Sequence, residues 1–323
     1  MSKSVTFYGN TGESLISRPS LTLTGDMPAP LYRGRFAPSP TGSLHLGSLV
    51  AAVGSYLEAK SHHGKWLVRI ENLDQPREVP GASKEILSTL ETLGMEWDGE
   101  IVYQDRRSAA YEAAFALLKK RRLVYPCLCT RKEISDSSIM GLDGPIYPGT
   151  CRGRFPGKEH PVAWRVSTDN KLIEFWDGLQ GWVRQQLESD IGDFVLRRAD
   201  GIFAYQLAVV VDDAEQGITH VVRGKDLINS TPRQIYLQQL LGYPTPAYLH
   251  LPVALNASGE KLSKQTHATP IDASDPVSQL MKALRFLGHV PPPELIESDL
   301  ASFWKWCTEN WRPEMVPRIG SRA

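Results

Sequence analysis

The sequence predicts an α/β fold: a doubly wound parallel sheet that is split by an insertion and followed by a small helical C-terminal region. The first half supplies one β-α-β unit, with a strand at residues 31–37, a helix that begins at Leu46, and a buried strand at residues 66–70. Parallel-sheet character returns in the compact β-branched runs 207–211 and 219–222. We expect these parts to form one sheet whose strand ends open onto a single crevice.

The remaining elements follow from apolar periodicity and turn signals. Apolar residues recur at helical spacing from Leu46 to Leu57, and His62-His63-Gly64 ends that helix. Further helices are predicted at residues 83–93, 109–122, 231–241 and 277–287, and short strands at residues 162–166 and 173–176. A small helical cap is predicted around three tryptophans, Trp304, Trp306 and Trp311.

The composition is that of a globular protein without a charge bias. Hydrophobic residues make up 41% of the 323 residues and charged residues 22%, and 36 basic residues balance 36 acidic ones. A net charge of zero excludes a general basic field, so any RNA contact must depend on local patches. The sequence has no membrane-length apolar run and no evident secretory signal, so we expect a cytoplasmic monomer without membrane contact.

Two short segments carry the strongest functional signal. His45-Leu46-Gly47-Ser48 opens a helix after a strand, so its imidazole and backbone amides suit an anion such as a triphosphate. Lys261-Leu262-Ser263-Lys264-Gln265 places two lysines in a loop, which suits a mobile cationic clamp on phosphates. Taken singly, the histidine could be a simple helix cap and the lysines solvated surface. Together at one crevice they indicate ATP-dependent adenylation.

These segments resemble the "HIGH" and "KMSKS" signatures of the class I aminoacyl-tRNA synthetases, with Ser48 in place of the final histidine. The run 35–42 is similar to the leading motif of the glutamyl-tRNA synthetases, and residues 69–71 and 222–224 match further motifs of that family. The resemblance implies that His45 and Lys264 stabilise the charge that develops during adenylation. The implied ATP-binding residues are His45, Gly47, Ser48, Lys261, Ser263 and Lys264, and Mg²⁺ is expected with the ATP.

The same resemblance implies a glutamate site. Its residues would be Arg35, Phe36, Ala37, Pro38, Ser39, Glu71, Tyr205 and Arg223. Arginine suits the two carboxylates because its planar guanidinium donates two parallel hydrogen bonds, and Glu71 would hold the ammonium. A neutral amide cannot satisfy a buried guanidinium, so glutamate is favoured over glutamine. For any one Arg or Glu taken alone, an ordinary surface ion pair is the simpler interpretation.

Three of the four cysteines, Cys127, Cys129 and Cys151, lie close together in the predicted insertion. In a reducing compartment this pattern favours a metal site over disulfides. Zinc prefers four ligands, and the resemblance implies that Tyr147 is the fourth, with His160 or water as the generic substitute. The predicted cofactor is therefore one structural Zn²⁺, and the alternative is a coincidental Cys-x-Cys pair in an insertion.

The stretch that follows Lys264 is too short for the separate anticodon-binding domain of the glutamyl-tRNA synthetases, so no such domain is expected. This plan resembles the glutamyl-queuosine tRNA(Asp) synthetases, which activate glutamate without tRNA and attach it to the queuosine base at the wobble position of tRNA(Asp). The implied partners are ATP, L-glutamate and tRNA(Asp) bearing queuosine. Besides Ser48, four residues depart from the full-length pattern: Asn72, Gln206, Leu262 and Gln265.

Rival predictions come from other classes. A glutamyl-tRNA synthetase would charge tRNA(Glu), a nucleotidylyltransferase would share the histidine motif without the glutamate site, and a non-catalytic paralogue would only bind an amino acid or RNA. The domains expected from the leading prediction are an N-terminal extension at 1–30, a Rossmann-like catalytic domain at 31–125 and 190–245, an insertion with the zinc site at 126–189, and a lysine-loop and helical region at 246–323.

Overall fold

The computed structural model of the chain describes residues 31–154, 161–255 and 269–319. The strands are β1 Arg33–Phe36, β2 Lys65–Ile70, β3 Val102–Tyr103, β4 Val124–Cys127, β5 Met140–Gly141, β6 Gly144–Pro145, β7 Ala163–Val166, β8 Leu172–Asp177, β9 Gly181–Gln186, β10 Val195–Arg197, β11 His220–Gly224 and β12 Ala247–Leu251. The α-helices are α1 Leu46–Ser61, α2 Ala82–Thr92, α3 Ser108–Lys120, α4 Arg131–Ser137, α5 Leu187–Asp190, α6 Tyr205–Glu215, α7 Thr231–Leu241, α8 Pro276–Phe286 and α9 Leu300–Asn310.

Parallel strands form the centre of the fold. β1 pairs with β2 and β2 with β3, while β11 pairs with β12 and β12 with β8, all in parallel. The two groups meet at β1, where the amide of Thr219 donates to the carbonyl of Arg33 at 2.9 Å. Helices α1, α2, α8 and α9 share one hydrophobic core with the sheet, and α3, α6 and α7 share a second. The predicted Rossmann-like α/β fold is confirmed.

Helix α1 follows the periodicity of its sequence, with Leu49, Val53 and Leu57 buried against the sheet. The helix ends at His62, and the amide of Gly64 returns to the carbonyl of Ala59 at 2.8 Å. A Cβ atom on Gly64 would lie 2.5 Å from the carbonyl oxygen of Tyr32. Only glycine therefore permits the tight return from α1 to β2.

Four other predicted helices are present as α2, α3, α7 and α8, and the short strands predicted in the insertion are present as β7 and β8. Their ends differ by one or two residues from the predicted ends, which is the usual uncertainty of helix fraying. Helix α7 ends at Gly242, whose φ of 75° lies in the left-handed region that glycine adopts without strain.

The predicted strand at residues 207–211 is wrong, because this run lies inside helix α6. Every residue from Leu207 to Val211 is buried, since α6 packs between α3, α7 and β10. A helix that is apolar on all sides shows neither helical nor strand periodicity, so a short β-branched run does not distinguish the two. The sequence did not predict two parallel strands: the short β3, which pairs with β2, and β12, which lies between β11 and β8.

The segment between the two halves of the sheet is largely antiparallel. β7 pairs with β4 on one side and with β10 on the other, and β8 and β9 form a hairpin. Asp193 is buried beside this small sheet and accepts hydrogen bonds from the amide of Thr168 at 2.7 Å and from Nε of Arg152 at 2.6 Å. These bonds hold the turn that carries Cys151 against the sheet.

The C-terminal helices pack directly on α1. Trp304 in α9 donates from its indole nitrogen to the carbonyl of Leu93 at 2.9 Å. Trp311 donates to a carboxylate oxygen of Glu58, inside α1, at 2.5 Å. Trp304 and Trp311 are buried and Trp306 is partly buried, which agrees with the predicted helical cap. In the described parts of the chain, none of the helices combines the length and the apolar character that a membrane crossing requires.

Candidate active site

A cavity of about 950 Å³ opens at the carboxyl ends of β1, β2, β11 and β12. Eleven of the predicted glutamate-binding and ATP-binding residues line it: Arg35, Phe36, Ala37, Pro38, Ser39, His45, Gly47, Ser48, Glu71, Tyr205 and Arg223. The strand ends of a parallel sheet converge at one edge, which explains why residues so distant in sequence share one cavity. These predicted residues thus lie together along one cavity.

The first turn of α1 forms one wall of the cavity. His45 is the N-cap of α1, and its Nδ1 atom accepts a hydrogen bond from the amide of Ser48 at 3.3 Å. The hydroxyl of Ser48 accepts from the amide of His45 at 2.8 Å, which completes a capping box. Ser48, which replaces a histidine of the signature, therefore stabilises the start of the helix. The positive end of the helix dipole faces the cavity.

The predicted lysine loop cannot be placed in the same way. Lys261, Ser263 and Lys264 lie outside the described residues, as do Leu262 and Gln265. The described chain on both sides of this segment reaches the cavity: Pro252 lines it, and Pro270 forms a β-bridge with His45. The chain before the lysine segment therefore lies at the cavity wall, and the chain after it lies beside the start of α1.

Arg35 is held by a buried carboxylate at the base of the cavity. Its Nε and Nη2 atoms donate to the two oxygens of Asp213 at 3.2 and 3.3 Å. Arg69, whose side chain is fully buried, donates to the same carboxylate at 2.7 Å. Burial alone would raise the pKa of Asp213, but the two guanidinium groups outweigh it and hold that pKa below its usual range. Asp213 is therefore an anion that fixes both arginines.

Glu71 lies beside this pair at the end of β2. Its Oε1 atom is 3.4 Å from Nη2 of Arg69, and its side chain is 8% exposed. Burial raises the pKa of Glu71, and the nearby Arg69 and Arg35 oppose that rise. A carboxylate in such surroundings gains from an additional cation, so it suits the ammonium group of an amino acid.

Arg223 makes a different set of contacts on the opposite wall. It donates from Nε to Nε2 of His250 at 3.1 Å, from Nη2 to Oγ1 of Thr231 at 2.7 Å, and from Nη1 to the hydroxyl of Tyr205 at 3.4 Å. These acceptors are all neutral. Among the residues that the structure describes, no carboxylate forms a salt bridge with Arg223.

His250 is in turn bonded to Asp177. Its Nδ1 atom lies 2.6 Å from Oδ2 of Asp177, and both side chains are fully buried. Burial lowers the pKa of His250 to about 4, although the hydrogen bond with Asp177 acts in the opposite direction. The chain Asp177, His250, Arg223 therefore runs from the β8–β9 turn into the cavity.

The sequence analysis did not predict Asp213, Asp177 or His250 as site residues. Asp213 follows an apolar run that the sequence assigned to a strand, and His250 lies in β12, which was not predicted. The two acidic residues directly after the apolar run, Asp212 and Asp213, are the one signal that could have identified Asp213, since a buried carboxylate requires a partner.

Two of the residues that depart from the full-length pattern have structural roles. Asn72 is buried and accepts the amide of Asp105 at 3.0 Å, which caps the turn after β3. Gln206 donates to the hydroxyl of Ser230 at 3.2 Å and accepts from Gln234 at 3.0 Å, which links α6 to α7. These contacts lie around the cavity and support its walls.

The three cysteines of the insertion converge with Tyr147. The sulfur atoms of Cys127, Cys129 and Cys151 lie within 4.8 Å of one another, and those of Cys129 and Cys151 are 3.6 Å apart. The hydroxyl oxygen of Tyr147 is 3.3 Å from the sulfur of Cys127 and 3.6 Å from that of Cys129. A tetrahedral zinc ion would separate two sulfur ligands by about 3.8 Å, and a sulfur from an oxygen by about 3.5 Å. The donor set therefore fits zinc, while His160 lies outside the described residues.

Arg165 completes the surroundings of this cluster. Its guanidinium lies 4.0 Å above the ring centre of Tyr147 and donates from Nε to the sulfur of Cys127 at 3.3 Å. Three thiolates around a divalent cation carry a net negative charge, so an adjacent guanidinium stabilises the bound form.

The comparisons with known proteins agree with this geometry. The family described as "tRNA synthetases class I (E and Q), catalytic domain" matches residues 32–294. The chain is 57% identical over 289 residues to a glutamyl-Q tRNA(Asp) synthetase of Dechloromonas aromatica, covering 89% of this chain and 96% of that protein. It is likewise 57% identical over 287 residues to the protein of that name from Chromobacterium violaceum, with 89% and 96% covered.

The fold is similar to solved structures of longer proteins. A glutamate tRNA ligase of Elizabethkingia meningosepticum, solved in complex with its amino acid, superposes with a TM-score of 0.74 at 25% identity, over 90% of this chain and 66% of that one. The glutamate-tRNA synthetase of Elizabethkingia anophelis has a similar fold, with a TM-score of 0.76 at 24% identity over 91% and 68%. The chain thus spans about two thirds of these ligases. It belongs to the class I tRNA synthetase family for E and Q, within the group of the glutamyl-Q tRNA(Asp) synthetases.

Proposed function

We propose that this protein activates L-glutamate with ATP, without tRNA, and transfers the glutamyl group to the queuosine base at the wobble position of tRNA(Asp). The observation that carries the proposal is the identity of 57% with glutamyl-Q tRNA(Asp) synthetases over nearly their whole length. The cavity supports it, because it combines buried guanidinium groups, a buried carboxylate and a helix start in one place.

The glutamate subsite is the part of the cavity between Arg35 and Arg223. We assign a carboxylate of glutamate to Arg223 and Tyr205, and the ammonium group to Glu71. Arg35, with Phe36, Ala37, Pro38 and Ser39, forms the opposite side of the subsite. Glutamine would leave a buried guanidinium without an anion, and this cost favours glutamate.

The nucleotide subsite is the first turn of α1. We assign the phosphates of ATP to His45, Gly47 and Ser48, because the helix dipole and the amide groups there favour an anion. Lys261, Ser263 and Lys264 are proposed to complete the subsite, supported by the position of their flanking residues at the cavity wall. Mg²⁺ bound with ATP would neutralise part of the phosphate charge.

The reaction follows from this placement. A carboxylate oxygen of glutamate attacks the α-phosphate of ATP in line, the bond from that phosphorus to the β-phosphate oxygen breaks, and pyrophosphate leaves. The protein supplies position and charge: Arg35 and Glu71 orient the amino acid, and His45 and Lys264 stabilise the charge on the phosphate oxygens. A hydroxyl oxygen of the queuosine base then attacks the carbonyl carbon of the adenylate, the bond from that carbon to the phosphate oxygen breaks, and AMP leaves as the glutamyl ester forms.

We propose that Cys127, Cys129, Cys151 and Tyr147 hold one structural Zn²⁺. The fit of the sulfur and oxygen separations to a tetrahedral site supports this assignment. Arg165 would stabilise it by its hydrogen bond to Cys127. Adenylation requires no nucleophile generated by a metal, so the role is structural.

For the domains, we propose a catalytic domain at 31–125 and 190–245, an insertion with the zinc site at 126–189, and a lysine-loop and helical region at 246–323. Residues 1–30 are proposed as an extension. The antiparallel pairing of β4 with β7 and the cysteine cluster support an insertion at this place in the chain.

The test has two stages. Glutamate-dependent exchange between ATP and labelled pyrophosphate, in the absence of RNA, is expected from the purified protein, and glutamine should give none. Labelled glutamate should then transfer to tRNA(Asp) that contains queuosine and not to the same tRNA without queuosine. Transfer to tRNA(Glu), or exchange that requires tRNA, would identify an ordinary glutamyl-tRNA synthetase and overturn the proposal.

A further inference from the structure

We propose that Asp177 and His250 act as a positioning pair that orients Arg223 for the substrate carboxylate without neutralising its charge. The inference rests on the proposed function, because it concerns the same cavity. Asp177 bonds His250 at 2.6 Å, and His250 accepts from Arg223 at 3.1 Å. Neither Asp177 nor His250 is among the residues that line the cavity.

The hydrogen bonds fix the tautomer of His250. An arginine side chain can only donate hydrogen bonds, so Nε2 of His250 must be the acceptor for Arg223. The ring proton therefore sits on Nδ1 and is donated to Asp177. The oxygen of Thr231 accepts from Nη2 of Arg223, and its hydroxyl lies 3.1 Å from the same Nε2, whose single lone pair already receives the Nε–H of Arg223. Arg223 thus donates to two neutral acceptors that contact each other, Nε2 of His250 and the hydroxyl oxygen of Thr231.

Asp177 is itself held rigidly. Its Oδ1 atom accepts from the amides of Leu179 at 3.1 Å and Gln180 at 2.8 Å in the β8–β9 turn. The amide of His250 donates to both of its oxygens, at 3.2 and 3.1 Å. These bonds outweigh the effect of burial and hold the pKa of Asp177 below its usual range. A fixed anion therefore determines the orientation of the imidazole.

The neutral imidazole separates the two charges. Asp213 bonds Arg35 directly through both oxygens, so the charge of Arg35 is already matched by the protein. Arg223 has only neutral acceptors, and its guanidinium lies 5.7 Å from the ring centre of Tyr248, which stabilises a cation without cancelling it. Arg223 is thus the guanidinium whose charge is available to a ligand carboxylate.

The remaining donor of Arg223 points to the place of that carboxylate. A guanidinium has five N–H groups. Four are directed at His250, Thr231, the carbonyl of Leu227 and Tyr205. The contacts to Leu227, at 3.5 Å, and to Tyr205, at 3.4 Å, are long. The fifth N–H is on Nη1, beside Tyr205 in the wall of the cavity. A carboxylate that approaches Nη1 and the hydroxyl of Tyr205 would therefore meet a donor pair that is already oriented.

The experiment compares two variants of His250 that each keep one half of its function. His250→Asn keeps a donor near Asp177 but has no acceptor for Arg223, whereas His250→Gln places an amide oxygen near the position of Nε2. The control is His289→Asn: His289 is also buried, and its Nε2 accepts the amide of Arg312 at 3.0 Å. All three proteins and the wild type are assayed by glutamate-dependent pyrophosphate exchange and by thermal unfolding.

We expect His250→Asn to raise the KM for glutamate by about 10- to 100-fold, the effect of a lost hydrogen bond to a charged group. The kcat should not change, because the lost interaction contributes equally to ground-state and transition-state binding. The KM for ATP should also stay the same, because Arg223 is assigned to glutamate. His250→Gln should recover most of the loss, and His289→Asn should lower the unfolding temperature without raising the KM for glutamate.

Two results would overturn the proposal that Asp177 and His250 position Arg223. One is an unchanged KM for glutamate in His250→Asn, and the other is an equal rise of that KM in His250→Asn and His250→Gln. Nitrogen-15 NMR of the imidazole gives an independent readout, since Nδ1 must carry the proton at neutral pH and a proton on Nε2 would refute the geometry. A wild-type protein without glutamate-dependent exchange would instead overturn the proposed function, and with it the substrate assigned to Arg223.

Discussion

Asp213 offers the most stringent test of the cavity, because one buried carboxylate holds two buried arginines. Asp213→Asn keeps the shape of the side chain and one acceptor oxygen, but it removes the negative charge between Arg35 and Arg69. The side chains of the three residues are 8%, 4% and 0% exposed, so solvent cannot replace the lost charge. Arg35 would then be buried without its anion, and Arg69 would keep only its longer contacts to the carboxylates of Glu71 at 3.4 Å and of Asp212 at 3.8 Å.

The magnitude follows from this burial. Removing one partner of a buried ion pair costs about 3–5 kcal/mol, and the retained amide oxygen places the variant near the lower value, about 3 kcal/mol. A chain of 323 residues has an unfolding entropy of about 0.7 kcal/mol/K near its melting temperature. The expected fall in melting temperature is therefore about 4 °C. The KM for glutamate should rise about tenfold, because Arg35 is no longer held in one orientation.

Scanning calorimetry measures the first effect and glutamate-dependent pyrophosphate exchange the second. Glu215→Gln is the matched control, since Glu215 lies on the same helix, is half exposed and pairs with Arg107 at 2.5 Å. An exposed pair of this kind contributes about 0–1 kcal/mol, so the control should melt within about 1 °C of the wild type. Equal melting temperatures and equal KM values in Asp213→Asn and the wild type would refute the role assigned to Asp213.

Three further predictions concern the helix start, the buried histidine and the cysteine cluster. Ser48→Ala should lower the free energy of unfolding by about 1 kcal/mol, the usual effect of losing a capping contact. Urea denaturation measures this, and an unchanged midpoint would contradict it. His250 has a pKa of about 6.5 in the unfolded chain and about 4 in the folded protein, so the neutral buried imidazole contributes to the free energy of unfolding. This contribution is complete above pH 6.5, and about 3 kcal/mol of it is lost as the pH falls to 4. Urea unfolding of the wild type and of His250→Gln at a series of pH values measures this loss. Free energies of unfolding that change in parallel with pH in the two proteins would refute it. Elemental analysis should detect about one zinc ion per chain in the wild type, and Cys151→Ser should lose it. Cys307→Ser, outside the cluster, should keep it, and equal zinc contents in the two variants would contradict the proposed site.

The sequence predicted much of the site because its motifs occur at strand ends and at a helix start. His45, Glu71 and Arg223 each follow or end a recognisable element, and a parallel sheet brings such positions together. The adjacent elements and the resemblance to a known family were sufficient to predict that these residues lie together, and their roles remain predictions.

The sequence did not reveal what lies beneath these residues. Residues 207–211 were assigned to a strand because a fully buried helix shows no polar face, and β12 was missed because a short buried strand has little periodicity. Because of these two errors, the sequence analysis did not identify Asp213 in α6 as a partner of Arg69 or His250 in β12 as a partner of Arg223. Contacts between residues that are distant in sequence depend on the packing of the sheet, and no local pattern specifies them.

The bond between Trp311 and Glu58 has a practical consequence for shortened versions of this chain. A gene truncated ahead of α9 would leave the Glu58 carboxylate without its indole donor in an apolar setting, within the same helix that His45 caps. The last helix thus stabilises α1, and fragments that lack it should be insoluble or readily digested by proteases.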